Sequence, residues 1–235
     1  MKKSLIIGLD LSFSSTGITI SYLEDNVGKS MKFYRVLFDD QTNKTGKRYE
    51  PAKVNNVTDI VYIMPTNISI ADLILDKTDI NNREQVISTL KGMICSSNID
   101  NLIKQAIEKY EPEEITAVIE NYIMPAFSGK NQLKTVSGLI MLQGFVRKDL
   151  IKRTLIGNIK LKLLTPTASH IKSFFAKDGN ADKLKMLKAF IDHYDGSKLI
   201  PGITIADLPK VDDVIDSFAL MMKGYSVIVN KSINQ

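Results

Sequence analysis

Leu5-Ile6-Ile7-Gly8-Leu9 is an unbroken apolar run, ended by Asp10 and then by the Ser-, Thr- and Gly-containing segment Leu11 to Gly17. A run this short is not a helix, and with no polar alternation it reads as a strand buried on both faces over residues 4–10. Ile115-Thr116-Ala117-Val118-Ile119 repeats the arrangement and ends in Glu120. A chain with two such runs needs layers on both sides of one sheet.

The remaining patterns supply those layers. Gly17 to Tyr22 and Met31 to Leu37 read as the next two strands of an antiparallel meander. Residues 39–56 are rich in Asp, Asn, Lys and Gly and read as a loop or hairpin insertion; Thr58 to Met64 adds a further strand. The whole insertion spans about 39–82. Helix-start chemistry at Thr78 to Asn82 opens a helix over Glu84 to Tyr110, broken near Ser96-Ser97-Asn98 and ended by Pro112. Gly129 to Arg153 is a long helix whose stripe is Val136, Leu139, Ile140, Leu142 and Phe145; Ser137, Gly138 and Gly144 would let another element come close. Leu161 to Thr165 is a strand. Shorter helices follow, from Pro166-Thr167 to Phe175 and from Ala181 to His193. Val211 to Val229 is the last helix, after a loop holding Pro201, Gly202 and Pro209. The order βββ-α-β-α-β-α predicts an α/β fold, a mixed sheet of about five strands flanked by helices, in a single domain over 1–235.

With 44% hydrophobic and 24% charged residues in 235, the chain can bury one sizeable core. The single Cys95 excludes an internal disulfide and a cysteine-rich zinc site. His170 and His193 lack metal-ligand spacing. Met1-Lys2-Lys3 leads into an apolar run too short for a signal or a membrane span. A cytoplasmic setting, in a bacterium or an infected host cell, is the expectation, with no membrane partner. Net charge is +5. Between Ser128 and Lys172 stand Lys130, Lys134, Arg147, Lys148, Lys152, Arg153, Lys160, Lys162 and Lys172 against one acid, Asp149. That surface suits phosphates.

The chemistry lies in the carboxylates. Asp10 and Glu120 end buried strands, and Asp212, Asp213 and Asp216 open an apolar helix. Such groups are costly together unless a cation neutralises them. Asp213 and Asp216 share a helix face at i and i+3; Asp212 and Asp216 at i and i+4 serve geometrically as well. A helix-opening Asp is also favoured simply by the helix dipole. Hard oxygen donors suit Mg²⁺.

Four segments, in order, resemble the RuvC-type Holliday-junction resolvases of the RNase H-like (retroviral-integrase) superfamily. They are Gly8-Leu9-Asp10-Leu11-Ser12 with Thr16-Gly17; Ile119-Glu120-Asn121; Pro166 to Lys172 with Gly179 to Lys183; and Asp213-Val214-Ile215-Asp216-Ser217-Phe218-Ala219. The likeness spans residue 4 to about 223, and phage-encoded proteins are among such relatives. It implies an RNase H-like fold and a crossover-junction endodeoxyribonuclease, a phosphodiester hydrolase of DNA recombination and repair. Asp10, Glu120, Asp213 and Asp216 would hold two Mg²⁺ ions, Mn²⁺ substituting, about 4 Å apart. The family spacing favours Asp213 over Asp212. Lys183 would supply charge at the scissile phosphate, Lys172 likewise or as a DNA contact. Lys130 and Lys134 would bind phosphates, and Tyr122 or Phe127 would stack on a base. The implied partners are branched DNA, four-way junctions above all, and a second copy in a C2 homodimer through the 129–153 helix.

Other readings remain at this stage. One is a general branched-DNA or flap nuclease of the same fold, with the long 39–82 region as an accessory substrate surface. Asp10 with Thr16-Gly17 also resembles the first phosphate loop of actin-like ATPases and sugar kinases. A second glycine-rich phosphate loop is missing, as are a Walker loop, a Gly-x-Ser-x-Gly elbow and a His-Glu-x-x-His helix. A non-catalytic DNA-binding module would have no use for the clustered carboxylates.

Overall fold

The computed structural model describes residues 1–13, 15–39, 54–63, 80–121 and 130–233. β1 (Lys3–Asp10), β2 (Ser15–Glu24) and β3 (Val27–Asp39) form the expected antiparallel meander. Asp25 and Asn26, both at positive φ, make the two-residue turn between β2 and β3, as residues tolerant of that conformation do in a tight hairpin. β4 (Val57–Ile63) joins the outer edge of β3 in parallel. β5 (Glu114–Ile119) runs parallel to β1, and β6 (Lys160–Leu164) parallel to β5. The sheet is therefore mixed, six strands in the order β4-β3-β2-β1-β5-β6. β4 is the strand expected over Thr58 to Met64, and it brings the sheet to six strands where about five were expected.

The helices are α1 (Ile80–Tyr110), α2 (Lys130–Ile156), α3 (Ala168–Ala176), α4 (Lys183–His193), the short α5 (Gly196–Leu199) and α6 (Leu208–Ile233). Strand side chains alternate between faces, and the two faces acquire different covers. Leu5, Ile7, Leu9, Ile18, Ile20, Ile115, Ala117 and Ile119 pack against Ile99, Leu102 and Ile103 of α1 and Leu142, Val146 and Leu150 of α2. Ile6, Phe33 and Val118 point the other way, to Phe175, Phe190, Val214 and Phe218 on α3, α4 and α6. Phe218 centres this second core, edge-on to Phe175 and Phe190 with centroids 5.8 and 5.0 Å away. Each fully buried large apolar side chain contributes about 1.5–3 kcal/mol, so both covers are held firmly.

The helices depart from expectation in places, most tellingly in α1 and at the start of α6. α1 runs unbroken through Ser96-Ser97-Asn98. The polar residues there are satisfied without leaving the helix: Ser96 Oγ donates to Asp149 Oδ2 of α2 at 2.6 Å, and Asn98 Nδ2 to the Ile94 carbonyl at 2.9 Å. α6 starts at Leu208, before Val211, because Pro209 lies in its first turn, where a missing N–H costs nothing. A 3₁₀ turn, Ile205–Asp207, leads into it through a reciprocal Thr204–Asp207 capping box. Of the 39–82 insertion, 40–53 and 64–79 lie outside the described residues.

Candidate metal centre

Asp10 closes β1 on the face of Ile6 and Gly8, the face that α6 covers. Its cross-strand partner is Gly17 on β2; Gly17 is opposite Arg35 on β3; Arg35 is opposite Asp59 on β4. On the other side of β1, Leu9 is paired with Ile119, so Glu120 continues β5 alongside Asp10. Directly opposed residues share a face. Glu120, Asp10, Gly17, Arg35 and Asp59 thus form one row across five strands.

The first half of α6 lies on that row. A Cβ at Gly8 would overlap the Ser217 carbonyl, and one at Gly17 the Asp213 carbonyl; only glycine lets helix backbone rest on strand backbone here. Thr19 and Ser217 hydroxyls share a buried hydrogen bond of 2.9 Å. Arg35 Nη1 donates to the Lys210 carbonyl. Lys210, Asp213 and Ser217, spaced at helical turns, therefore sit over successive strands, and Asp213 and Asp216 come into the field of Asp10.

These charges oppose one another. Burial holds Asp10 well above the usual carboxylate range, and Asp216, Asp213 and Glu120 add to the rise. Asp216 is pushed up to about 6 by burial, then by Glu120 and Asp213. Burial also raises Glu120, against the pull of Lys172. Burial raises Asp213, with the Ser15 hydroxyl, Lys183 and Arg35 working the other way. Carboxylates raised by burial and by their like-charged neighbours mark a place that a cation would stabilise.

The remaining sequence candidates fall in three places. Lys183, the first residue of α4, is ion-paired with Asp212 at the rim and acts on Asp10, Asp213 and Asp216 from there. Asp212 thus engages Lys183 while Asp213 joins Asp10. Lys172 of α3 stands by Glu120 and Asp216. Tyr122 and Phe127 lie outside the described residues, and for Lys130 and Lys134 only the backbone, in α2, is described.

Several supporting residues escaped the sequence reading. Gln143 of α2, buried, donates from Nε2 to the Glu120 carbonyl and accepts from Arg147 Nη2 at 3.3 Å. Phe13, just after Asp10, wedges its ring against Gly138 of α2. Arg35 and Asp59 are a buried ion pair. Gly8 and Gly17, inside strand patterns, carried the one visible signal, since an interior strand glycine marks a close approach.

Among the described residues, no three His, Cys, Asp or Glu side chains stand gathered at ligating distance. Asp10 and Asp216 feel like-charged neighbours, and a nearby cation would relieve both. The donors are all hard oxygens with only lysines and one arginine as local positive charge, a set that fits Mg²⁺ or Mn²⁺ and no soft metal.

No family model matches the chain, and none of the curated proteins compared with it matches either. Among solved structures it is similar to RuvC from Thermus thermophilus, at 11% identity and a TM-score of 0.43, covering 95% of this chain and 96% of that one. It is similar to the same organism's RuvC in complex with a Holliday junction substrate, at 10% identity and 0.40, with 95% and 96% covered. The yeast mitochondrial Holliday junction resolvase Ydc2 is similar at 14% identity and 0.41, with 94% of this chain and 76% of that one covered. Among the described residues, no helix is long and apolar enough to cross a membrane.

Proposed function

We propose that this chain is a divalent-metal-dependent, structure-selective DNA endonuclease that resolves four-way junctions by paired nicks. What supports the reading is that Glu120, Asp213 and Asp216, from two other chain segments, all act on the buried Asp10, whose own strand row and helix contact bring them to one side of the sheet. These four would hold Mg²⁺, two ions by the family resemblance, with Mn²⁺ able to substitute. Bound there, the metal supplies a nucleophilic water at neutral pH and neutralises charge on the phosphate and the leaving oxygen.

The protein's own groups do the rest. Gly8 and Gly17 set the helix-to-sheet distance, and Gln143 fixes the backbone at Glu120. Lys172 and Lys183 flank the carboxylates with positive charge placed to meet a phosphate. The basic 128–172 segment would carry the arms of the substrate.

Two coordinated cuts need two sites, and a C2 homodimer provides them. The support for it is a set of exposed apolar residues on one side of α2, with the exposed Lys148 among them. Ile140, Ile151 and Leu155 are exposed along one side of the helix, Leu155 at 76%. Among the described residues, a Cβ at Gly144 between them would meet nothing within 4 Å. Such a stripe, with a small residue at its centre, suits close packing against its own copy.

The test is cleavage of labelled four-way junction, flap and linear duplex with Mg²⁺ or EDTA, beside Asp10→Asn. Paired Mg²⁺-dependent nicks on the junction, absent from the variant, are expected. Equal cutting of flaps would make it a general branched-DNA nuclease. No cutting with Mg²⁺ or Mn²⁺ would overturn the reading.

A further inference from the structure

We propose that Arg35 and Asp59 are positioning residues: their buried ion pair pins the first turns of α6 to the sheet in the one rotation that aims Asp213 and Asp216 at Asp10 and Glu120. The inference rests on the metal-centre reading above and adds to it two residues outside the four carboxylates.

The pair is a two-pronged clamp. Arg35 Nε reaches Asp59 Oδ1 at 2.9 Å and Nη2 reaches Oδ2 at 2.7 Å, with the side chains 2% and 7% exposed. The third prong, Nη1, donates to the Lys210 carbonyl of α6. Lys210 is three residues before Asp213, on the same helix face. Arg35 is also next but one to Asp10 in the row, with only Gly17 between them. A guanidinium has a rigid fork, so holding two prongs on Asp59 fixes where the third can accept its carbonyl. Rotating α6 by one residue turns it about 100°. That would carry Asp213 off the row and take the Lys210 carbonyl off its donor.

Asp59 has a second effect. Arg35 already acts on Asp213. With Asp59 bidentate on the guanidinium, Asp213 is left for another cation; without it, Arg35 would compete for Asp213. A buried ion pair is seldom the most stable filling for its volume, and its best-attested use is to specify one register over others. β4 enters the sheet from the insertion, and it is the strand that delivers Asp59 into the row.

The experiment compares wild type with the uncharged double variant Arg35→Met/Asp59→Asn and with Arg35→Lys, all as the full chain. Amide hydrogen exchange over residues 208–216 is measured without metal, and Mg²⁺ affinity by calorimetric titration. The expected result is a double variant that melts within a few degrees of wild type, exchanges roughly tenfold faster over 208–216, and binds Mg²⁺ roughly tenfold more weakly. Junction cleavage should fall in step and recover at high Mg²⁺, a rescue that a merely damaged fold would not give. Should the double variant not fold, Arg35→Lys, which keeps the charge and loses the fork, must show the same two changes. Wild-type exchange over 208–216 in a folded variant overturns the pin. Faster exchange in a variant of a wild type that takes up no Mg²⁺ upholds the pin and overturns the metal reading instead.

Discussion

Gly17 lies directly beneath the carbonyl of Asp213, with no room for a Cβ between them. The spacing between the strand that faces Asp10 and the helix that carries Asp213 and Asp216 is thus a backbone-to-backbone contact. Gly17→Ala must lift the helix. Overpacking of this kind costs about 1–3 kcal/mol, so the variant should fold with a lowered melting temperature. A displacement of about 1 Å at a reacting centre costs about a hundredfold in rate. Junction cleavage should therefore fall much further than stability does, as thermal denaturation and initial rates would show.

Asp213 and Asp212 should part company on substitution. Asp213→Asn removes a member of the buried group and is expected to cost about a hundredfold or more in cleavage. Asp212→Asn releases Lys183 from its rim ion pair; its effect should stay within about fivefold, as is usual for an exposed pair. Equal losses in the two variants, measured at saturating Mg²⁺, would refute the assignment of Asp213.

The metal-free protein should lose stability as pH rises. Asp216 sits at about 6 in the fold, and Asp10 and Asp213 are raised as well, against about 3.9 for an unfolded Asp. Above the unfolded value the folded chain holds more protons than the unfolded one, so its stability declines as pH rises through about 6, where Asp216 ionises, and for as long as Asp10 stays protonated. Asp178 and Asp207, lowered by their own hydrogen bonds at the surface, pull the other way. Asp10→Asn separates the two contributions. Urea denaturation in EDTA at pH 4.5 and 7.5 should show a smaller decline in that variant than in wild type. Adding Mg²⁺ should restore wild-type stability at pH 7.5 and leave the variant nearly unchanged.

Leu155→Glu places a charge on the most exposed residue of the α2 stripe, at its C-terminal end. Sedimentation velocity should find wild type dimeric and the variant monomeric. The variant should still nick the junction, and its two cuts should become uncorrelated. Retention of the dimer in the variant would remove α2 as the interface.

The sheet was legible in the sequence because each buried strand announces itself: Leu5 to Leu9 and Ile115 to Ile119 have no polar alternation, and the meander between them has turn residues at its bends. Asp10 and Glu120 were legible as the polar ends of those runs. What was hidden is what depends on register. Arg35 in β3 and Asp59 in β4 each look like ordinary polar positions in half-exposed strands; that they meet is known only from the pairing of β3 with β4. Gln143 reads as one more polar helix residue until α2 is laid over β5. Ser96 to Asn98 misled for the same reason. A Ser-Ser-Asn run favours breaking a helix on local grounds, and Asp149, far along the chain, outweighs that preference.

α6 follows every strand of the sheet in chain order, and it docks chiefly on β1 and β2, the first to be made. A nascent chain that has reached β6 owns Asp10 and Glu120 but neither Asp213 nor Asp216. Long-range closures of this sort come late in folding. On the proposed reading, a chain that lacks the last helix has no complete set of carboxylates to hold a metal. The layout works as a safety catch, released only when the last helix comes home over the first strands.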